Sequence, residues 1–350
     1  MKHDQRRVLQ AGLRGTALTA VVALGLVAIV GSGGGSAPEC SFFSDTCTPN
    51  TPGTPAPPAT PAVAVGPAKL TVQVGSSATF VAEVQGGEQS HLQWQRSADH
   101  GNSYVDIPGA TAASYKLAQT QFADDGAMFR VDLRANGSNA VQATSNAVTL
   151  LVSSTAPVVL QDGGFDPVDW NASAIADPAQ NGPTHSEDQA ATGGLPGAYR
   201  HMRHTLTAGP SSLRVFNLKA SASHDPKTQG AVHAIDYSED CSRLSATSAA
   251  INVTSYLLVE QAGRRYVSKQ GRGCLAAWVN NFNQIPSVAA TDLVQVDGAP
   301  CNGGEACPDF SAAGAPLRFG FERRVALSAG AAAGAIEHGI DNWKVTVWRD

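Results

Sequence analysis

Short runs of alternating apolar and polar residues, each closed by a turn signal, constrain this chain more than any other feature. Successive side chains on a strand point to opposite faces, so such a run buries one face and leaves the other in water. In ATFVAEVQ, Ala78, Phe80, Ala82 and Val84 share one face. KLTVQV precedes that run, LQWQR places Trp94 on a third strand, and AMFRVDLRA and NAVTLLV follow, with SADHGNS and IPGAT as turns. The second half repeats the pattern in AYRHMRHTL, SLRVFNLKA and GAVHAIDYS, and SYLLVEQAGRRYVSK reads as a hairpin turning at Gln261-Ala262-Gly263. Near the end Leu317, Phe319 and Phe321 alternate with Arg318, Gly320 and Glu322. Trp343, Val345 and Val347 likewise oppose Asn342, Lys344 and Thr346, one side core and the other solvent. Short strands and turns at this spacing predict an all-β protein built of sandwiches.

The order of segments sets the compartment. Lys2, Arg6, Arg7 and Arg14 precede the apolar run of residues 16–30, the pattern of an export signal over residues 1–32. That run is shorter than the ~20 residues of a spanning helix, so cleavage near Ser32 is expected, with an uncleaved membrane anchor as the alternative. A Pro/Thr/Gly-rich spacer is expected over residues 33–67, and SSTAP at 153–157 separates two folded segments, 68–153 and 158–350. The expected location is extracellular or at the cell surface, with the periplasm as the alternative. Export favours disulfides, and the most local of 15 connectivities pairs Cys40 with Cys47, Cys241 with Cys274, and Cys301 with Cys307. A zinc site lacks any C-x2-C pair. With 24 Lys and Arg against 29 Asp and Glu, a net charge of −5, the chain lacks the basic footprint of a nucleic-acid binder.

In the first segment VGSSATF, Trp94 in WQRS, Ile107-Pro108-Gly109-Ala110-Thr111, and Asp124-Asp125-Gly126 leading into Phe129 resemble the bacterial immunoglobulin-like family over residues 68–153. Ala82 and Val131 stand where that family's antibody-type members carry bridging cysteines, and Phe129 stands where a corner Tyr is found. The resemblance therefore implies a sandwich held by packing alone, with Trp94 in its core. In the second segment FDPVDW, Gly197-Ala198-Tyr199-Arg200, Ile235-Asp236-Tyr237-Ser238-Glu239-Asp240, RFGF and Gly339-Ile340-Asp341-Asn342-Trp343 resemble the concanavalin A-like lectin/glucanase jelly roll over residues 158–350. The fold expected is an immunoglobulin-like sandwich plus a jelly-roll β-sandwich, and the ligand class implied is carbohydrate.

Glucanases of that superfamily use E-x-D-x-E, and glycoside hydrolysis needs paired carboxylates. The nearest string here presents Asp236, Ser238 and Asp240 on one face and lacks both outer glutamates, so no catalytic residue is assigned and a non-enzyme is expected. Calcium is a candidate cofactor, because Asp162, Asp166 and Asp169 could meet Asp341 and Asn342 if the terminal strands are neighbours. The alternative makes Asp341 and Asn342 a turn that hydrogen-bonds local backbone. Asp236, Glu239 and Asp240 form a second such cluster. His201 and His204 point to opposite faces of one strand and are expected at the surface. Of Trp170, Trp278, Trp343 and Trp348, any could stack on a sugar, and Trp348 stands out because it opposes the Trp343 face. The function expected is an exported binding or adhesion protein whose partner is a polysaccharide or cell-surface glycan. The alternatives are a purely structural or protein-adhesive stalk and, third, an atypical glycoside hydrolase.

Overall fold

The computed structural model describes residues 60–87, 89–177, 182–280, 283–296, 301 and 307–350. The expected export signal, the expected spacer up to residue 59 and the expected Cys40–Cys47 pairing lie outside the described residues. What is described is an all-β protein of packed sheets.

The first sandwich is made by β1 (Ala62–Gly66), β2 (Lys69–Gln73), β3 (Ala78–Gln85), β4 (Ser90–Ser97), β5 (Val105–Asp106), β6 (Ser114–Leu117), β7 (Met128–Ala135), β8 (Val141–Thr144) and β9 (Val148–Ser153). One sheet runs β1-β3-β6; the facing sheet runs β2-β9-β7-β4-β5, with β8 added on β7. β1 lies within the stretch read as spacer, and its alternation sends Val63 and Val65 into the core. Phe80 and Phe129 stack with centroids 4.5 Å apart. Trp94 is fully buried beside them, with its indole N–H donating to the Ala112 carbonyl at 2.9 Å. Val131 pairs with Trp94 in register and is fully buried, so the packing beside the indole is aliphatic. Val84 leaves the expected pattern and is exposed, being at the end of β3 beside the Gly86-Gly87 turn.

The second sandwich comprises β10 (Val158–Asp162), β11 (Trp170–Asp177), β12 (Thr184–Gly194), β13 (Gly197–Leu206), β14 (Ser211–His224), β15 (Val232–Ala246), β16 (Val253–Gln261), β17 (Arg264–Ser268), β18 (Arg272–Gly273), β19 (Asn283–Val288), β20 (Leu293–Gln295), β21 (Leu317–Leu327) and β22 (Gly334–Arg349). The front sheet has the order β12-β13-β22-β15-β19 and the back sheet β11-β14-β21-β16-β17-β20, with β18 beside β16. The expected hairpin joins β16 to β17 through Ala262 and Gly263, both at positive φ, as a tight turn matched to strand twist requires. Trp343, Val345 and Val347 face Leu317, Phe319 and Phe321 across the core, and Trp170 packs edge-on against Trp343 at 5.3 Å.

The outer face of β21 is less open than alternation alone predicts. Glu322 is buried there because Arg214 and Arg324 both close over its carboxylate. Inside the sandwich the apolar core is divided by a polar row. Asn217, Arg323 and Ser255 contribute from the back sheet, and His204, His338 and Glu239 from the front. Phe321 and Leu257 lie on one side of this row and Val325 and Val253 on the other.

The two sandwiches touch through β2, β9 and the edge of the front sheet. Thr71 and Ser287 share a buried hydroxyl hydrogen bond of 2.6 Å, Lys69 pairs with Asp292 at 2.5 Å, and the Ser153 hydroxyl donates to the Arg349 carbonyl at 2.7 Å.

Candidate binding face on the front sheet

Alternation along β13 turns Arg200, Met202 and His204 inward, so Tyr199, His201 and Arg203 face out. On the neighbouring β22, His338 and Ile340 are buried, and Gly339 between them faces out with no side chain. A glycine inside a strand often marks a close approach by another group. Here a Cβ on residue 339 would lie 2.6 Å from the Tyr199 ring and 2.8 Å from the Trp278 ring. The two rings meet over Gly339 at 71° with centroids 5.3 Å apart, and both are half-buried.

Trp278 reaches this place from a connection between the sheets. The Cys274 N–H donates to the Val253 carbonyl of the back sheet, while the Cys274 sulfur is bonded to Cys241 on β15 of the front sheet. Leu275 then forms a bridge with Ser242, and the Arg243 N–H donates to the Leu275 carbonyl at 2.6 Å. Register places Leu275, Ser242, Gly339, His201 and Asp188 in one row across the front sheet.

Polar groups fringe the aromatic pair. His201 Nδ1 lies 3.0 Å from Asp188 Oδ1, Arg203 donates to Glu337 at 2.6 Å, and the Ser245 hydroxyl donates to Glu337 at 3.1 Å. The hydrogen bonds from Arg203 and Ser245 hold the Glu337 carboxyl below the usual range. Burial first, then the negative charges of Asp188 and Glu337, push the Tyr199 phenol up and keep it a neutral donor. Flat apolar rings bordered by carboxyl acceptors and N–H donors can stack on the C–H face of a sugar and hydrogen-bond its hydroxyls.

Residues 63–154 match a family model described as a domain of unknown function (DUF8696). No curated protein matches the chain. The matched residues are those of the first sandwich, and the aromatic face lies outside them. The first sandwich has its own surface groove of about 500 Å³. Val74, Thr120 and Phe122 are among its lining residues, none of which is charged.

The sequence-derived calcium set is partly assembled. Asp162, Asp341 and Asn342 converge around Gly163, whose hypothetical Cβ would lie 3.6 Å from Asn342 Oδ1 and 3.7 Å from Asp341 Oδ1. They meet where β22 exchanges one partner for another, pairing with β13 up to Ile340 and with β10 from Trp343. Side chains replace the interrupted ladder there. Asp341 accepts from the Leu195 and Asn342 N–H groups, and Asn342, at φ 48°, donates to the Leu195 carbonyl and to Asp240. Burial, then Asp240 and Asp162, push the Asp341 pKa up. Asp162 accepts from Gly164, Phe165, Trp170 and Lys219; burial works against its charge, but these donors outweigh it and its pKa lies low. Asp166 stands apart, capping its own turn through the Val168 N–H, and Asp169 binds Lys219 and Ser221. Among the described residues, no group of three His, Cys, Asp or Glu side chains is arranged to hold a metal ion.

Trp348 is half-buried and donates its indole N–H to Asp236 at 2.7 Å. It lies on β22 nine residues from Gly339, roughly 30 Å away at strand rise. Asp236 also accepts from the Ser287 N–H, and a register shift between Ser238 and Asp240 breaks the expected three-residue face. His201 is on the outer face, as expected, whereas His204 is fully buried: the inward side of β13 meets the back sheet, not water. Cys241–Cys274 and Cys301–Cys307 are disulfides, with Cα separations of 5.0 and 4.7 Å. They are compatible with an oxidising location. Among the described residues no helix is long and apolar enough to cross a membrane. Sequence reasoning counted Trp278 among four candidate tryptophans but did not couple it to Tyr199. Gly339, isolated within IEHGIDNW, was the available signal.

Proposed function

We propose that this is an exported, cell-surface or secreted binding protein whose second sandwich takes up a polysaccharide or glycan on the outer face of the front sheet. The observation that carries the reading is the half-buried Tyr199–Trp278 pair seated on Gly339 with Asp188, His201 and Glu337 beside it. The concanavalin A-like resemblance supports carbohydrate as the ligand class, and the export-signal pattern with the disulfides supports the location. Binding without turnover is supported by the string Asp236-Tyr237-Ser238-Glu239-Asp240, which lacks both outer glutamates of the glucanase pattern, since glycoside hydrolysis needs paired carboxylates. A structural stalk is the second reading, favoured by the Thr71–Ser287 and Ser153–Arg349 contacts that tie one sandwich to the other.

The test is affinity electrophoresis and pull-down of the full chain with cellulose, chitin, xylan, a β-1,3-glucan and peptidoglycan. Saturable retention by one of them, lost in Tyr199→Ala and Trp278→Ala, is the expected result. No retention by any polysaccharide overturns the carbohydrate reading in favour of the stalk, and release of reducing sugar from a retained one overturns binding without turnover.

A further inference from the structure

We infer that the Cys241–Cys274 disulfide positions the aromatic platform, so that this face binds its glycan more tightly in the oxidised protein; the glycan part rests on the function proposed above. The two rings are anchored in different ways. Tyr199 belongs to β13, which is paired on both sides, with β12 and with β22. Trp278 lies between β18 and β19, in a connection whose Ala276 and Ala277 are exposed. It is attached to the front sheet on both sides: downstream where β19 pairs with β15 from Asn283, and closer, just upstream, in the bond from Cys274 to Cys241 and the bridge of Leu275 to Ser242. Ser242 pairs with Gly339 in register, so the bond that brings Cys274 to β15 also brings the indole over the residue that has room for it.

Opening this link uncouples the pair. A dithiol reductant supplies two electrons and two protons: one of its thiolates attacks the Cys274 sulfur, the Cys241 thiolate leaves, and the second reductant thiol closes a disulfide while both cysteines become thiols. Cys274 is the accessible end, being half-buried where Cys241 is fully buried. Tyr199 then keeps its place in the ladder, β19 keeps its pairing with β15 downstream of Trp278, and the upstream end of the connection is held to β15 by the Leu275 bridge without a covalent tie. Aromatic pairing has only modest strength beyond area burial, so the ring is not expected to stay in place by stacking alone.

The experiment uses the full chain and two readouts. Acrylamide quenching of tryptophan fluorescence, taken as the difference between the wild-type protein and Trp278→Phe, follows Trp278 with no glycan present. Retention by the same polysaccharides follows binding. Dithiothreitol, or the Cys241→Ser/Cys274→Ser pair, is expected to raise the Trp278 quenching constant about twofold and to weaken retention on the order of tenfold, the loss of one modest contact. Cys301→Ser/Cys307→Ser controls for the other described disulfide and is expected to change neither readout. If the serine pair fails to fold, reduction of the folded protein, with far-UV circular dichroism unchanged, decides alone. An unchanged Trp278 signal after complete reduction overturns the inference. A protein whose Trp278 is released but which retains no polysaccharide even when oxidised overturns the glycan reading and leaves the positioning role standing.

Discussion

His338 Nε2 and His204 Nδ1 lie 3.3 Å apart, and both rings are fully buried between the two sheets. One ring must donate and the other accept, so the contact exists only while at least one is neutral. Burial keeps both neutral, pushing His204 down to about 3 and His338 well below the usual histidine value. After burial, His185 on β12 and Arg323 on β21 lower His204, and His204, Arg323 and His201 lower His338. The unfolded chain takes up protons near pH 6.5, where the folded protein does not. Stability is therefore full above about 6.5 and lost as pH falls toward about 3, at about 1.4 kcal/mol per pH unit for each histidine. Urea unfolding between pH 7.5 and 5 should show this decline, and His338→Gln should reduce its slope. Equal slopes in the two proteins would sink the neutral-pair account.

Arg323 and Glu239 form an ion pair of 3.1 Å with neither side chain exposed, and Glu239 also accepts from the Tyr237 hydroxyl. Removing one partner strands the other charge in the core, so Arg323→Met is expected to cost about 3–5 kcal/mol in urea unfolding. The double variant Arg323→Met/Glu239→Gln should recover most of that loss. A double variant as unstable as the sum of the two singles would show that the charges are not coupled.

Gly339 is where a single added side chain should separate binding from folding. A Gly339→Val side chain would meet the Tyr199 and Trp278 rings on the outer face, away from the packed interior. The expected outcome is a stability change of about 1–3 kcal/mol, as for an overpacked site, with loss of polysaccharide retention. Retention at wild-type level in a folded Gly339→Val protein would remove the ring pair from the binding account.

The carboxylates around Asn342 are already supplied with N–H donors and with Lys219. Excess chelator is therefore expected to leave both the melting temperature and polysaccharide retention unchanged. A calcium site at a hundred times its dissociation constant would contribute about 2.7 kcal/mol, readily seen as a fall in melting temperature on chelation. Such a fall, reversed by calcium but not by magnesium, is the contrary result.

Much of the fold was legible because it is written in alternation. Trp343, Val345 and Val347 could be sent inward from their spacing, as could Leu317, Phe319 and Phe321, and the turn at Ala262-Gly263 from its residue types. Two disulfides followed from proximity along the chain. What stayed hidden depends on partners distant in sequence. His204 differs from a surface histidine only because β22 and the back sheet close over it, and Asp341 serves a change of strand partner that no local pattern announces. The aromatic pair unites residues 199, 278 and 339, which only the sheet order brings together.

The position of β22 has a consequence for how the molecule is made. It is the C-terminal strand described, yet it sits within the front sheet, flanked by β13 and β10 on one side and β15 on the other. Until residues 336–340 have emerged, β13 and β15 have no strand to join them, and the hydrophobic faces of both await a partner. The second sandwich cannot close progressively behind the ribosome, and such long-range pairing is intrinsically slow. Until β22 is in place the edges of β13 and β15 stay unpaired, and open strand edges of that kind are prone to pair with other chains.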